Sequence, residues 1–187
     1  MKAPVERARA AAAGLGVALI VVGVVLPPIH VNRGYSTLWA IISSTASLPA
    51  VAIYTAIMAV LYVTGRCRSE TLRNLTVSIV LAGLVGGILK GLVGRERPPG
   101  YSGNVVAKLV TIDVFSFPSG HAIAVGVFLY YSIGGSLFPL ALVWSALVSL
   151  SRLLLGAHYV GDVLAGLGIG LVTSYLVEVF FGRWRHS

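Results

Sequence analysis

The stretch Ser151–Asp162 (SRLLLGAHYVGD) sets an arginine, a histidine and an aspartate between two long apolar runs. Charge in such surroundings is costly and marks a functional site. His158 and Asp162 are four residues apart, so a helix would put them on one face, carboxylate against imidazole. A carboxylate on one ring nitrogen fixes the tautomer and leaves the other nitrogen's lone pair free to attack. Arg152 precedes them across Gly156, a residue that reads as a helix end, and its planar fork of donors suits a phosphate. Taken alone, these residues also fit a buried ion pair at a helix junction.

Two more stretches carry the same kind of residue. Lys90 and Arg97-Pro98 flank the end of one apolar run, and Pro118-Ser119-Gly120-His121 opens another. Lys90, Arg97 and Arg152 aimed at one small region would repel each other unless a multiply charged anion lay between them. At 4 Å and an effective dielectric of 20, each cation–anion pair is worth roughly 4 kcal/mol before desolvation. Phosphate is the natural occupant. Ser119 and Gly120 stand where a helix start offers free N–H groups and its positive dipole end. By themselves they are an ordinary helix start after a proline. Two histidines suit phosphoryl transfer through a covalent intermediate, with His158 attacking phosphorus and His121 serving as acid and then base. The cations stabilise the equatorial oxygens, so no metal and no cofactor is expected.

Lys90-x6-Arg97-Pro98, Pro118-Ser119-Gly120-His121 and Ser151-Arg152-x5-His158-x3-Asp162 together resemble the three-part signature of the type 2 phosphatidic acid phosphatase superfamily. The resemblance covers about residues 90–162. It implies a phosphohistidine on His158 oriented by Asp162, His121 as acid, and Lys90, Arg97, Ser119, Gly120 and Arg152 around the phosphate. Soluble acid phosphatases and vanadate-dependent haloperoxidases are relatives, but the apolar spans described next disfavour both activities.

The elements that must position these residues are legible as apolar runs. Of 187 residues, 57% are hydrophobic and 11% charged, which is too apolar for a soluble domain. Spans are expected over about 8–26, 48–64, 75–93, 119–134, 136–155 and 158–181. The first run could open a signal peptide, but it is long enough to span, and Pro27-Pro28 follows it rather than a small-residue cleavage site. It reads as a retained helix. Residues 29–47, with Tyr35 and Trp39, read as a loop with a short interfacial helix. Gly83, Gly86, Gly87 and Gly91 give the third run a small-residue face for close helix packing. The expected architecture is therefore an all-α, six-transmembrane helical bundle forming a single domain over 1–187, since only internally bonded helices satisfy the backbone in lipid.

Such a bundle splits the basic residues between two faces. Lys2, Arg7, Arg9, Arg66, Arg68, Arg73, Arg183 and Arg185 share one; Arg33, Lys90, Arg95, Arg97, Lys108 and Arg152 share the other. The first is cytoplasmic by the positive-inside rule. Both termini are then cytoplasmic, and the active site lies at the extracytoplasmic helix ends. The net charge of +8 is explained by topology, so no nucleic acid partner is expected. The partners are the bilayer and a membrane lipid phosphate or diphosphate. A polyprenyl diphosphate of undecaprenyl or dolichyl type leads; phosphatidic acid or phosphatidylglycerophosphate is the alternative. A non-catalytic lipid-binding or transport protein is the competing class, disfavoured because binding needs no nucleophile. A fourth span of sixteen residues is about 24 Å long, short of a roughly 30 Å hydrocarbon core, so the site should sit near the lipid phosphate level. Arg95 and Glu96 read as a solvated pair, Asp113 as a loop acid paired with Lys108, and Glu178 as reaching the cytoplasmic interface. Tyr101 and Phe115 are candidates for a lipid entrance. His30 receives no role, and Cys67 reads as a small loop residue.

Overall fold

Long apolar runs punctuated by glycine and proline become helices whose lengths follow that punctuation. In a computed structural model of the chain, the described residues are 2–29, 31, 37–47, 51, 54–56, 59–60, 63–65, 69–99, 101 and 114–183. His30, Arg33, Tyr35, Cys67, Lys108 and Asp113 lie outside them, as do Arg66, Arg68, Arg185 and His186. The elements are α1 (Lys2–Val25), α2 (Thr37–Ser44), α3 (Ser69–Val93), α4 (Gly120–Ser132), α5 (Phe138–Leu154) and α6 (Val160–Arg183). The described residues between 51 and 63 are also helical, inside the expected second span.

Among the described residues three helices, over Ala3–Val25, Glu70–Val93 and Val160–Phe181, are long and apolar enough to cross a membrane; α4 and α5 are shorter apolar helices. Boundaries differ from expectation where polar residues extend a helix. The first helix starts at Lys2 rather than Ala8, and the third at Ser69 rather than Leu75. The last begins at Val160, which leaves His158 in the turn before it.

α6 is the central helix, packed on α1, α3 and α4, while α5 packs on α4 and α2. Glycine makes two of these crossings possible. A Cβ on Gly168 would lie 2.3 Å from the Gly16 carbonyl oxygen of α1, and one on Gly170 would lie 2.4 Å from the Ile123 carbonyl oxygen of α4. The small-residue face expected on the third helix is a correction. An added Cβ at Gly83, Gly87 or Gly91 meets nothing within 4 Å among the described residues, and only Gly86 touches a neighbour, Ile123. Close packing belongs to α1, α4 and α6 instead, while Leu84, Ile88 and Leu92 leave an apolar flank of α3 exposed, as a lipid-facing flank should be.

The ends of the bundle are chemically distinct. At one, Glu178 accepts from both Arg9 and Tyr130, and Tyr131 shares a 2.9 Å hydrogen bond with Ser78. Glu178 is thus a half-buried hub joining α1, α4 and α6 rather than a group reaching out to the interface. At the other end lie the start of α4, the start of α6 and the end of α5.

Candidate active site

The connection from α3 to α4 supplies the frame. Lys90, in the last turn of α3, donates to the Phe115 carbonyl at 2.8 Å. Arg97 crosses to the turn between α5 and α6, where its Nη1 donates to the Ala157 carbonyl at 2.9 Å, and its guanidinium lies 4.8 Å over the Tyr101 ring. Tyr101 is thereby a stacking partner of Arg97. A cis peptide joins Phe117 and Pro118 ahead of α4.

Ser119 caps α4, its hydroxyl taking the Ala122 N–H in a long 3.5 Å contact, and its own N–H donates to the Asp162 carbonyl at 3.0 Å. That bond ties the start of α4 to the first turn of α6. Gly120 is exposed, and a Cβ there would meet nothing within 4 Å among the described residues. The first-turn N–H groups of a helix have no intrahelical acceptor, so this open edge is an anion-binding geometry.

His158 is buried in the turn ahead of α6, and its Nδ1 lies 2.8 Å from the Ser116 carbonyl oxygen. A carbonyl only accepts, so Nδ1 carries the proton and Nε2 keeps its lone pair. The nearer Asp162 oxygen stands 3.6 Å from the same nitrogen. The carboxylate therefore does approach the imidazole as expected, though His158 stands in the turn before the helix rather than on it, and the Ser116 carbonyl is the closer acceptor. Asp162 is fully buried, accepting from Tyr159 N–H at 2.9 Å and from Arg95 Nη1 at 2.8 Å. Arg95 is thus paired with Asp162 rather than forming the expected solvated pair with Glu96, which is a correction. The two arginines of the Gly94–Pro98 corner reach different targets, and only the folded connection decides which.

Arg152 is buried near the end of α5 and donates through Nη1 to Ser43 of α2 at 2.5 Å. Five groups share one electrostatic neighbourhood. Arg152, His158, Arg97 and Lys90 all act electrostatically on His121, and Arg152, Arg97 and Lys90 all act on His158. Burial pushes the His158 imidazole down to about 4; the Asp162 carboxylate opposes this, and the three cations add to it. The nitrogen that would attack is therefore free of a proton across the neutral range. Among the described residues no three His, Cys, Asp or Glu side chains are grouped as a metal site requires. Sequence reasoning missed Arg95, Ser43 and the Ser116 carbonyl.

A profile of the PAP2 superfamily matches residues 71–185. The lipid A 1-phosphatase of Rhizobium johnstonii is 33% identical over 114 residues, 57% of this chain and 46% of its own length. Phosphatidylglycerophosphatase B of Bacillus subtilis is 34% identical over 110 residues, 52% of this chain and 51% of its own. A decaprenylphosphoryl-5-phosphoribose phosphatase of Mycobacterium tuberculosis is 33% identical over 106 residues, 56% and 59% of the two chains. The chain thus matches about half the length of these curated relatives. Among solved structures, a transmembrane PAP2-type phosphatidylglycerolphosphate phosphatase from Bacillus subtilis superposes with a TM-score of 0.65 at 20% identity, over 95% of this chain and 87% of that one. That likeness is one of fold.

Proposed function

Because the chain belongs to the PAP2 superfamily, we propose that it is an integral membrane lipid phosphatase working through a phosphohistidine. The observation that carries this reading is the shared environment of two imidazoles. Both feel Lys90, Arg97 and Arg152, while His158 has its Nδ1 proton committed to the Ser116 carbonyl. In the first step Nε2 of His158 attacks phosphorus, the bond to the leaving oxygen breaks, and His121 gives that oxygen a proton. In the second, His121 takes a proton from water, the water oxygen attacks phosphorus, and the P–N bond breaks to release phosphate. Lys90, Arg97 and Arg152, with the N–H groups after Ser119, hold the equatorial oxygens through both steps.

The chain works as one six-span domain with cytoplasmic termini and an extracytoplasmic site. The distribution of basic residues supports this side, and the short α4 (13 residues, about 20 Å) supports a site near the lipid phosphate level. A headgroup could then enter while its tails stay in the bilayer. The substrate we favour is a polyprenyl diphosphate, since an outward site suits the recycling of carrier lipids and one relative is named for a decaprenyl-linked phosphate. A glycerophospholipid phosphate is the second reading, favoured by the relative named phosphatidylglycerophosphatase B.

The test is phosphate release in detergent from undecaprenyl diphosphate, phosphatidylglycerophosphate and phosphatidic acid, with EDTA present throughout. The parent should turn over, and His158→Ala should lose about a thousandfold or more in kcat. Normal turnover by His158→Ala would remove the mechanism, and loss of parent activity in EDTA would remove its independence of metal. The order of kcat/KM across the three lipids decides between the substrate readings.

A further inference from the structure

Arg95 touches both groups that hold the His158 ring. Its Nη1 donates to Asp162 Oδ1 at 2.8 Å, and its carbonyl accepts from Ser116 N–H at 2.8 Å and Ser116 Oγ at 3.2 Å. The Ser116 carbonyl is the acceptor for His158 Nδ1, and the second Asp162 oxygen stands behind it at 3.6 Å. The guanidinium is held in turn, 4.9 Å over the Phe117 ring. Gly161 beside it is set by the crossing with α1, since a Cβ there would lie 2.4 Å from the Gly23 carbonyl oxygen but at ordinary contact distance, 3.5 Å, from Arg95 Nη1.

A fully buried carboxylate keeps its charge only with donors and a cation around it. Asp162 receives a backbone N–H on Oδ2 and the Arg95 fork on Oδ1. Removing the fork would free the carboxylate to rotate or take up a proton, and either change weakens the anionic side of the His158 cradle. We infer that Arg95 is a positioning residue for the phosphatase reaction proposed above, a two-armed clamp whose side chain orients Asp162 and whose carbonyl orients Ser116, so that Nε2 of His158 is aimed at phosphorus. It acts through its neighbours and lies outside the Lys90, Arg97, Ser119, Gly120 and Arg152 phosphate cradle. The inference rests on the phosphohistidine reading.

The experiment compares Arg95→Gln, Arg95→Lys, Asp162→Asn and the Arg95→Gln/Asp162→Asn double variant of the full chain in detergent. Substrates are dioctanoyl phosphatidic acid and farnesyl diphosphate, and orthovanadate inhibition reports the phosphate cradle. Arg95→Gln should lower kcat about 10- to 100-fold, the range typical of losing an outer partner of a functional imidazole. KM and the vanadate inhibition constant should stay within about threefold, because the cradle is untouched. Added to Asp162→Asn, Arg95→Gln should cost less than about a further threefold, since the two act in series. Arg95→Lys, which keeps the buried charge for a chain that tolerates no Gln, should lose about threefold or more in kcat with KM unchanged. A parent-like kcat in either Arg95 variant, a loss confined to KM, or a full multiplicative loss in the double variant overturns the inference. An inactive His158→Ala beside a parent-like Arg95→Gln sinks the inference alone. A parent-like His158→Ala sinks the phosphohistidine reading and the clamp with it.

Discussion

The proposed nucleophile needs a free lone pair, and His158 keeps one by two means: burial, which disfavours the imidazolium, and the Ser116 carbonyl, which fixes the tautomer. The first has a consequence for stability. Folding lowers this imidazole from an ordinary 6.5 to about 4. Between those values the unfolded chain binds a proton that the folded protein refuses, so stability is full above 6.5 and declines as pH falls towards 4. The whole interval is worth about 3 kcal/mol. Thermal midpoints in detergent, read from tryptophan fluorescence, should therefore fall more steeply from pH 6.5 to 4.5 in the parent than in His158→Asn, whose amide N–H can still meet Ser116. Parallel slopes would show that the imidazole is not held neutral. At this scale residue types were legible and partners were not. Lys90, Arg97, His121, Arg152, His158 and Asp162 announce themselves by type and spacing. A backbone acceptor such as Ser116 carries no signature in its side chain, and which arginine of a non-periodic corner turns inward depends on the corner's fold.

At the scale of elements, α2 acquires a task that its composition did not suggest. Its penultimate residue is Ser43, whose hydroxyl accepts from Arg152 of α5, and just past its end Thr45 Oγ1 accepts from Trp144 Nε1 at 2.8 Å. The short helix therefore anchors a cation of the proposed phosphate cradle and pins α5 at a second point. Ser43→Ala should raise KM for a lipid phosphate about tenfold, the size of a hydrogen bond to a charged group. Thr45→Val should lower the thermal midpoint and leave KM unchanged. Equal KM effects of the two would reduce α2 to packing alone. Hydropathy found this segment as a short helix in a loop, but a single serine contacting a helix distant in the chain has no periodicity to read. The glycines show a similar limit. Spacing alone made Gly83, Gly87 and Gly91 of α3 as good a packing face as Gly16 of α1 or Gly168 and Gly170 of α6, yet among the described residues only the second set meets backbone. Small residues permit close approach, and the order of helices in the bundle decides where it occurs.

Across the whole molecule, the long-range contacts divide polar chemistry between two ends of an apolar body. Arg9, Tyr130 and Glu178 join the start of α1 to the ends of α4 and α6, while Lys90, Ser119, Arg152 and His158 gather where α3 and α5 end and α4 and α6 begin. This sorting follows from antiparallel helices, and apolar runs alone made it legible. The proposed cytoplasmic side rests on the basic residues Arg66 and Arg68 and on the terminal arginines. Cys67, the single cysteine, lies between those two arginines in the sequence and is a native reporter. In intact cells a membrane-impermeant maleimide should leave Cys67 unlabelled and should label it once the membrane is opened. Val114 is 61% exposed beside Phe115, at the end carrying the histidines. In a Cys67→Ser background, Val114→Cys should label from outside without permeabilisation. The reverse pattern would put the site in the cytoplasm, and carrier recycling on the outer leaflet would lose its argument. A site on the inner face would then meet lipid phosphates where they are synthesised, and the glycerophospholipid reading would take the lead.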